Sequence, residues 1–385
     1  MKANCVIITR CIVGFLILTT GVLFFAAGCS PKSEKPTASA SSSGSVQEAR
    51  AFVGSAACEE CHKAEAMTHS ISRHATTLRL MDRKSLGNAA PPDGVIPETN
   101  YSLSSPKGRY RVSLANAPER GDTLDLAFGS GRTGMTFVAI LGRDSLAELR
   151  MSYFPNDPNH KWYVTPGQEH MRDQKLGKIH KGEFPRRCVA CHAVSVPEGA
   201  LVSEKKLLGV GCESCHGAGS AHISAMRSGT KDNLHLERLT QLSATQKNEL
   251  CTRCHTTGIS VSEQEMNAAA DATRRFPFFG LQKSKCYTAN KESLSCLNCH
   301  TPHKDADPDP KSYEAACLKC HTSSAPAPEA NRASTVGKGC PVNAKTGCIN
   351  CHMPLGKILP GSKIPTQTRD HFIRVHKEIP RTKGI

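Results

Sequence analysis

The sequence predicts a mainly α fold with extensive irregular structure, wrapped around seven covalently held groups and interrupted by one small antiparallel β insertion. Three features lead there. The string Cys-x-x-Cys-His occurs seven times. Apolar side chains are sparse, at 38% hydrophobic and 5% aromatic with one Trp in 385 residues, and the long interval between His62 and Cys188 holds no cysteine at all.

The repeated string comprises Cys58, Cys61 and His62; Cys188, Cys191 and His192; Cys212, Cys215 and His216; Cys251, Cys254 and His255; Cys296, Cys299 and His300; Cys317, Cys320 and His321; and Cys348, Cys351 and His352. Two thiols three residues apart lie on about one helical turn, where each adds to one vinyl group of a haem and the next imidazole meets the iron. Cys-x-x-Cys alone also builds half a zinc site or a redox dithiol, but neither requires a histidine after the second cysteine. With 17 histidines in the chain one such neighbour is chance, and seven of seven is not. The expected cofactors are therefore seven c-type haems, with the seven motif histidines as proximal iron ligands. This allots about 42 residues to each haem, so the macrocycles are expected to supply much of the buried apolar surface, and no compact fold is expected without them.

A formal charge of +15 suggests nucleic acid, but no run exceeds two adjacent cations, as at Arg186-Arg187, Lys205-Lys206 and Arg274-Arg275. Two propionates per haem would bring the balance of the exported chain to about −1, so the basic excess is expected to pair with propionates. No nucleic-acid partner is expected.

Residues 1–29 have signal-peptide form, charged up to Arg10, apolar from Cys11 to Phe25, with small residues before Cys29. This resembles a bacterial lipoprotein cleavage site, with Cys29 as the lipidated N-terminus. The alternative is an uncleaved anchor, since Cys11 to Gly28 could just cross a bilayer. Either route puts the haems outside the cytoplasm, in the periplasm or at the outer membrane and cell surface. Residues 30–50, rich in Ser, Ala, Pro and Lys, read as a flexible tether.

Residues 51–86 form a first haem module with an expected helix from Ala64 to Leu80 carrying His69 and His74. On one continuous helix His62 and His74 stand about 18 Å apart, so they cannot share an iron. Residues 87–180 are an expected haem-free β-rich insertion. Within it Tyr101–Ser104, Arg109–Leu114, Thr123–Phe128, Met135–Leu141 and Leu146–Phe154 alternate or run apolar between Gly, Pro, Asn and Asp. The insertion is expected to cover the first haem or dock a partner. His160, His170 and His180 lie at its end, with His170 and His180 among the distal-ligand candidates.

Residues 181–385 read as a hexahaem domain. Sites two and three, and five and six, follow each other so closely that contact between those haems is expected. His222 is too near His216 in sequence to reach the same iron, and His300 and His303 would share one helical face. Any ligation by His222 or His303 therefore serves a neighbouring haem. Cys286 and Cys340 belong to no motif and form a candidate disulfide.

Several pieces resemble multihaem c-type cytochromes related to the tetrahaem cytochrome c of ammonia oxidisers and to hydroxylamine oxidoreductase-like multihaem cytochromes. They are Val53-Gly-Ser-Ala-Ala-Cys58 with Ser72-Arg-His-Ala75; Gly209-Val-Gly-Cys-Glu-Ser-Cys-His-Gly-Ala-Gly-Ser-Ala-His222; Cys296-Leu-Asn-Cys-His-Thr-Pro-His303; and Cys348-Ile-Asn-Cys-His-Met-Pro354 followed by Asp370-His371-Phe-Ile-Arg. The resemblance implies distal ligation by His74, His222, His303 and His371.

If each haem finds a second imidazole, every iron is six-coordinate and the chain is an electron relay. Its expected partners are redox proteins, either other cytochromes or a membrane quinol-oxidising complex, with the membrane engaged through the N-terminal lipid or anchor. One open iron would instead admit nitrite, hydroxylamine or a sulfur oxyanion. A third reading is a docking subunit of a larger respiratory complex.

Overall fold

The computed structural model describes residues 50–171, 177–202, 204–230, 234–255, 272–321, 340, 346–359 and 361–376. The signal segment, Cys29 and the tether up to residue 49 lie outside the described residues.

The fold is not mainly α, and its β portion is not small. Helix accounts for 34% and strand for 20% of the structure. The strands are β1 Leu78–Leu80, β2 Gly94–Val95, β3 Tyr101–Ser104, β4 Arg111–Leu114, β5 Ala117–Thr123, β6 Leu126–Phe128, β7 Thr136–Ile140, β8 Ser145–Leu149, β9 Met151–Tyr153, β10 Trp162–Val164, β11 Gly177–Lys181, β12 Leu355–Lys357 and β13 Gln367–Arg369. They form a five-stranded antiparallel sheet in the order β1-β6-β7-β8-β11, a four-stranded sheet β2-β3-β4-β5, and the two-stranded pairs β10-β9 and β12-β13.

The physical reason for the correction is that the five-stranded sheet is buried on both faces. Side chains alternate along a strand. Phe137 and Ala139 of β7, with Ala147 and Leu149 of β8, turn toward Tyr101, Leu103, Tyr110 and Val112 of the four-stranded sheet. Val138 and Leu146 turn the other way, toward Leu78, Leu126 and the helix Glu183–His192 through Val189 and Ala193. Each such burial contributes about 1.5–3 kcal/mol, so this region carries a core of its own. That core covers the helix of the second Cys-x-x-Cys-His motif, not the first.

Local chemistry also shortens the expected helix from Ala64 to Leu80. It runs only over Lys63–His69. Beyond it the Ser72 hydroxyl accepts from Ala75 N at 3.2 Å, and the Thr76 hydroxyl donates to Ser72 O at 2.7 Å. Such side-chain bonds compete with helix, and the β-branched pair Thr76-Thr77 leads into β1. Apart from the β12-β13 pair, the described residues beyond this region hold short helices joined by loops, among them Glu213–His216, Ser220–Arg227, Ala244–His255, Pro277–Gln282, Glu314–Leu318 and Cys348–His352.

Candidate haem-binding site

The seven motifs begin with backbone geometry suited to the thiols. The amide of His62 donates to Cys58 O, and those of His216, His300 and His321 donate to the first cysteine of their own motifs, at 2.9–3.0 Å. Each Cys-x-x-Cys-His therefore forms one helical turn, with both thiols and the imidazole gathered at one place.

The structure then brings four motif histidines beside four histidines from elsewhere in the chain, with interplanar angles from 23° to 68°. Ring centroids lie 6.4 Å apart for His62 and His222, 5.9 Å for His255 and His74, 6.3 Å for His216 and His303, and 6.3 Å for His300 and His371. An iron gripped by imidazoles from opposite sides separates the ring centres by about 6.3 Å, from about 2 Å per metal–nitrogen bond and about 1.1 Å from nitrogen to ring centre. The donor set therefore fits a haem iron between each pair. None of the four pairs joins histidines of the same sequence piece.

The outer bonds of these rings are also in place. Nδ1 faces a backbone carbonyl in His216 (Glu237 O, 3.2 Å), His222 (Leu234 O, 2.9 Å), His352 (Arg374 O, 3.0 Å) and His371 (Arg369 O, 3.1 Å). His192 Nδ1 lies 3.1 Å from Thr77 O and 2.8 Å from the Thr77 hydroxyl. A proton held on Nδ1 leaves Nε2 as the lone-pair donor a metal requires. Burial pushes the pKa of His192, His255 and His300 down, and that of His371 down to about 4, so these rings are neutral at neutral pH.

Close backbone approaches position the distal rings. Gly209 lies against Ala75, and Val210 N donates to His74 O at 2.9 Å; a Cβ at residue 209 would collide with the Ala75 carbonyl. Gly280 does the same for His371, since a Cβ there would stand 2.8 Å from His371 C and Phe372 N. The buried Ser284 hydroxyl donates to His371 O at 3.2 Å and accepts from Ile373 N at 2.8 Å. Glu213, 5% exposed, accepts from Val53 N, Gly54 N and Gly219 N at 2.8–2.9 Å. Its carboxylate thus ties the segment entering the first motif to the loop that carries His222. Gly219 is small because Val53 and Glu213 crowd it. Sequence reasoning missed Glu213, Ser284, Gly209 and Gly280. The only signal for Glu213 was an acidic residue inside a motif.

Other expected residues go elsewhere. His180 Nε2 lies 3.0 Å from Glu148 Oε2 and its ring stacks on Phe184 at 4.6 Å, while His170 is exposed in a turn. Neither joins a motif histidine in ring contact. His192 packs edge-on against Phe128, at 5.1 Å and 72°. His376, two residues past the carbonyl that meets His352, is buried, as is His69. Cys286 and Cys340, like the motif cysteines, stand as free thiols. Cys286 sits half-buried on the short helix Lys285–Asn290, where burial raises its thiol pKa, and Cys340 is exposed.

Hydrogen bonds between motifs group them differently from sequence order. Cys212 N donates to the Ser55 hydroxyl at 3.2 Å, Cys191 Sγ to Arg253 O at 3.8 Å, and Cys296 N to Asn248 Oδ1 at 3.0 Å. Site one therefore meets site three, two meets four, and four meets five.

Residues 152–217, spanning β9 to the third motif, match the family described as Cytochrome c554 and c-prime. The match begins inside the haem-free interval and ends before His222. No curated protein matches the chain. Among solved structures, the fold is similar to that in "Crystal Structure of Outer Cell Wall Cytochrome OcwA", with a TM-score of 0.50 and 13% identity over 84% of this chain and 79% of that one. What this chain shares with proteins of known structure is thus the fold of a cytochrome, with a c554 and c-prime sequence pattern around its second and third haem-attachment motifs.

Proposed function

We propose that the chain is a heptahaem c-type cytochrome that relays electrons outside the cytoplasm. The four imidazole pairs carry this reading. Under it His62 with His222, His74 with His255, His216 with His303 and His300 with His371 are axial pairs, and the fourteen motif cysteines hold the porphyrins. Bound haem supplies one-electron chemistry. The chain's own residues orient the His216, His222 and His371 rings through Nδ1, and desolvation keeps His255, His300 and His371 neutral. The sequence pieces around His74, His222, His303 and His371 resemble the tetrahaem cytochromes of ammonia oxidisers. An extracytoplasmic place agrees with the signal-like start and with the cell-wall cytochrome whose fold is similar. Lipidation of Cys29, and partnership with other cytochromes or a quinol-oxidising complex, belong to the same reading.

Pyridine haemochrome assay with mass spectrometry of the mature protein tests it. Seven haems and a lipid on Cys29 are expected; a colourless product, or one whose Soret band does not move on dithionite, overturns it. Exchange of His222 for Gly should add one high-spin ferric signal in electron paramagnetic resonance.

The Phe128–His192 contact favours a second reading, in which the second haem faces an aromatic ring instead of an imidazole and binds a small nitrogen or sulfur oxyanion or hydroxylamine. A high-spin ferric signal in the native protein that changes on adding nitrite or hydroxylamine would support it; an entirely low-spin spectrum would sink it.

A further inference from the structure

Three of the motifs start their helical turn at or beside the first cysteine: Glu213–His216, Cys296–Asn298 and Cys348–His352. The first-cysteine amide there has no acceptor one turn upstream in its own helix, because helix termini leave their leading N–H groups unsatisfied. Three other motifs carry an extra turn before the first cysteine, in Ser55–Glu59, Ala244–His255 and Glu314–Leu318.

The structure joins the two kinds. Cys212 N donates to the Ser55 hydroxyl at 3.2 Å, Cys296 N to Asn248 Oδ1 at 3.0 Å, and Cys348 N to Glu314 Oε1 at 3.1 Å. Ser55, Asn248 and Glu314 each stand three residues before the first cysteine of their own motif, Cys58, Cys251 and Cys317. The partners are 157, 48 and 34 residues away in sequence. Asn248 is 1% and Glu314 7% exposed, so the acceptors are held in place. The second motif is outside this scheme. It has Pro185 at the equivalent position, and its contact with the fourth motif runs from Cys191 Sγ to Arg253 O at 3.8 Å.

We propose that Ser55, Asn248 and Glu314 are positioning residues that cap the attachment helix of a partner motif, and so build haem pairs one–three, four–five and six–seven on one repeated joint. The proposal rests on the heptahaem reading. A c-type haem is fixed to its motif at three points, so locking two motifs together at hydrogen-bond distance fixes the separation of their macrocycles, and with it the speed of electron transfer between them. The acceptors differ in charge. Ser55 and Asn248 are neutral, whereas Glu314 adds a buried carboxylate, which disfavours the extra electron of the ferrous state and holds pair six–seven at lower potential.

The test uses the full-length holoprotein and an electron paramagnetic resonance-monitored redox titration, with pyridine haemochrome assay as the loading control. Glu314→Gln keeps an acceptor oxygen and removes the charge; it should leave the low-spin g-values in place and move the midpoint of one haem pair upward. Asn248→Asp keeps the acceptor and adds a charge; it should move a different pair downward. Glu314→Ala removes the cap and should shift g-values and midpoints together, while Glu314→Gln restores the g-values. Seven haems in each variant with spectra and midpoints equal to the native protein overturn the proposal. If Glu314→Ala does not accumulate, Asn248→Asp and Ser55→Ala decide, and unchanged midpoints and g-values in both overturn it. Fewer than seven haems in the native protein would defeat the heptahaem reading instead.

Discussion

Two regions of this molecule solve the problem of burial differently. Between Leu78 and Lys181 lie 21 of the 30 buried apolar residues among those described, all but Phe154 packed in two clusters on either face of a sheet. From Lys205 to His376 the described residues offer six: Leu207, Ala225, Ala244, Phe279, Ile349 and Ile364. Buried beside them are polar side chains, including Glu213, Asn248, Ser284, Glu314, Asp370 and His376. Six of the seven attachment motifs lie beyond the β region, from Cys188 onward. One region is held by side chains against side chains, while the other, under the proposed ligation, would close its imidazoles and backbone caps around a large flat apolar group. The sparse apolar composition of the whole chain is thus an average over a conventional part and an unconventional one.

The largest expected effect comes from withholding haem. In a chain matured without it, hydrogen exchange should leave amides of residues 78–181 protected while those of residues 205–376 exchange freely. Equal loss of protection in both regions would break the distinction. Next, Phe137→Ala, at a fully buried position, should cost the β region about 3–5 kcal/mol of stability. Its melting should drop while the Soret band and the low-spin signals stay put; haem spectra that shift with it would show the two regions to be one cooperative unit. Glu213→Ala strips the acceptor from three buried amides and should cost roughly 3 kcal/mol. Here the signature is reversed, with altered g-values for the haem between His62 and His222 and an unaltered β transition.

The smallest effect is alkaline. Burial raises the phenol pKa of Tyr110 and Tyr153, and Tyr110 donates to Pro91 O at 2.5 Å. In the unfolded chain these groups ionise near about pH 10. Their contribution is therefore complete below about pH 10 and is lost as pH rises through the higher folded values. Tyr110→Phe should lessen the decline in β-region stability above that pH; an unchanged alkaline slope would count against the burial argument.

What the sequence could reveal follows the range of the interaction involved. The motifs are local, and so is the reasoning that kept His74 from His62, His222 from His216 and His303 from His300. The strands at Tyr101–Ser104, Arg111–Leu114 and Thr136–Ile140 announce themselves by alternation. β1, β2, β5, β10 and β11 do not, because they are short or polar and exist through pairing with distant partners, as β1 does with β6. For that reason the sequence displays less β structure than the chain folds into. Ser72 and Thr76 ended an expected helix through bonds that apolar periodicity does not encode. Which imidazole meets which, and which side chain caps which cysteine amide, are decided by tertiary packing alone, and a histidine count cannot order them.

The crossed imidazole pairs bear on how such a protein is made. Under the proposed ligation, His62 waits for His222, about 160 residues later, and His74 waits for His255, about 180 residues later, while a chain is synthesised at about 5–20 residues per second. The first porphyrin joined during export would spend seconds with one axial position open to whatever thiol, imidazole or small anion is at hand. Faithful maturation then becomes a race between the arriving segment and unintended ligands, and chaperoning of that interval is a need written into the topology.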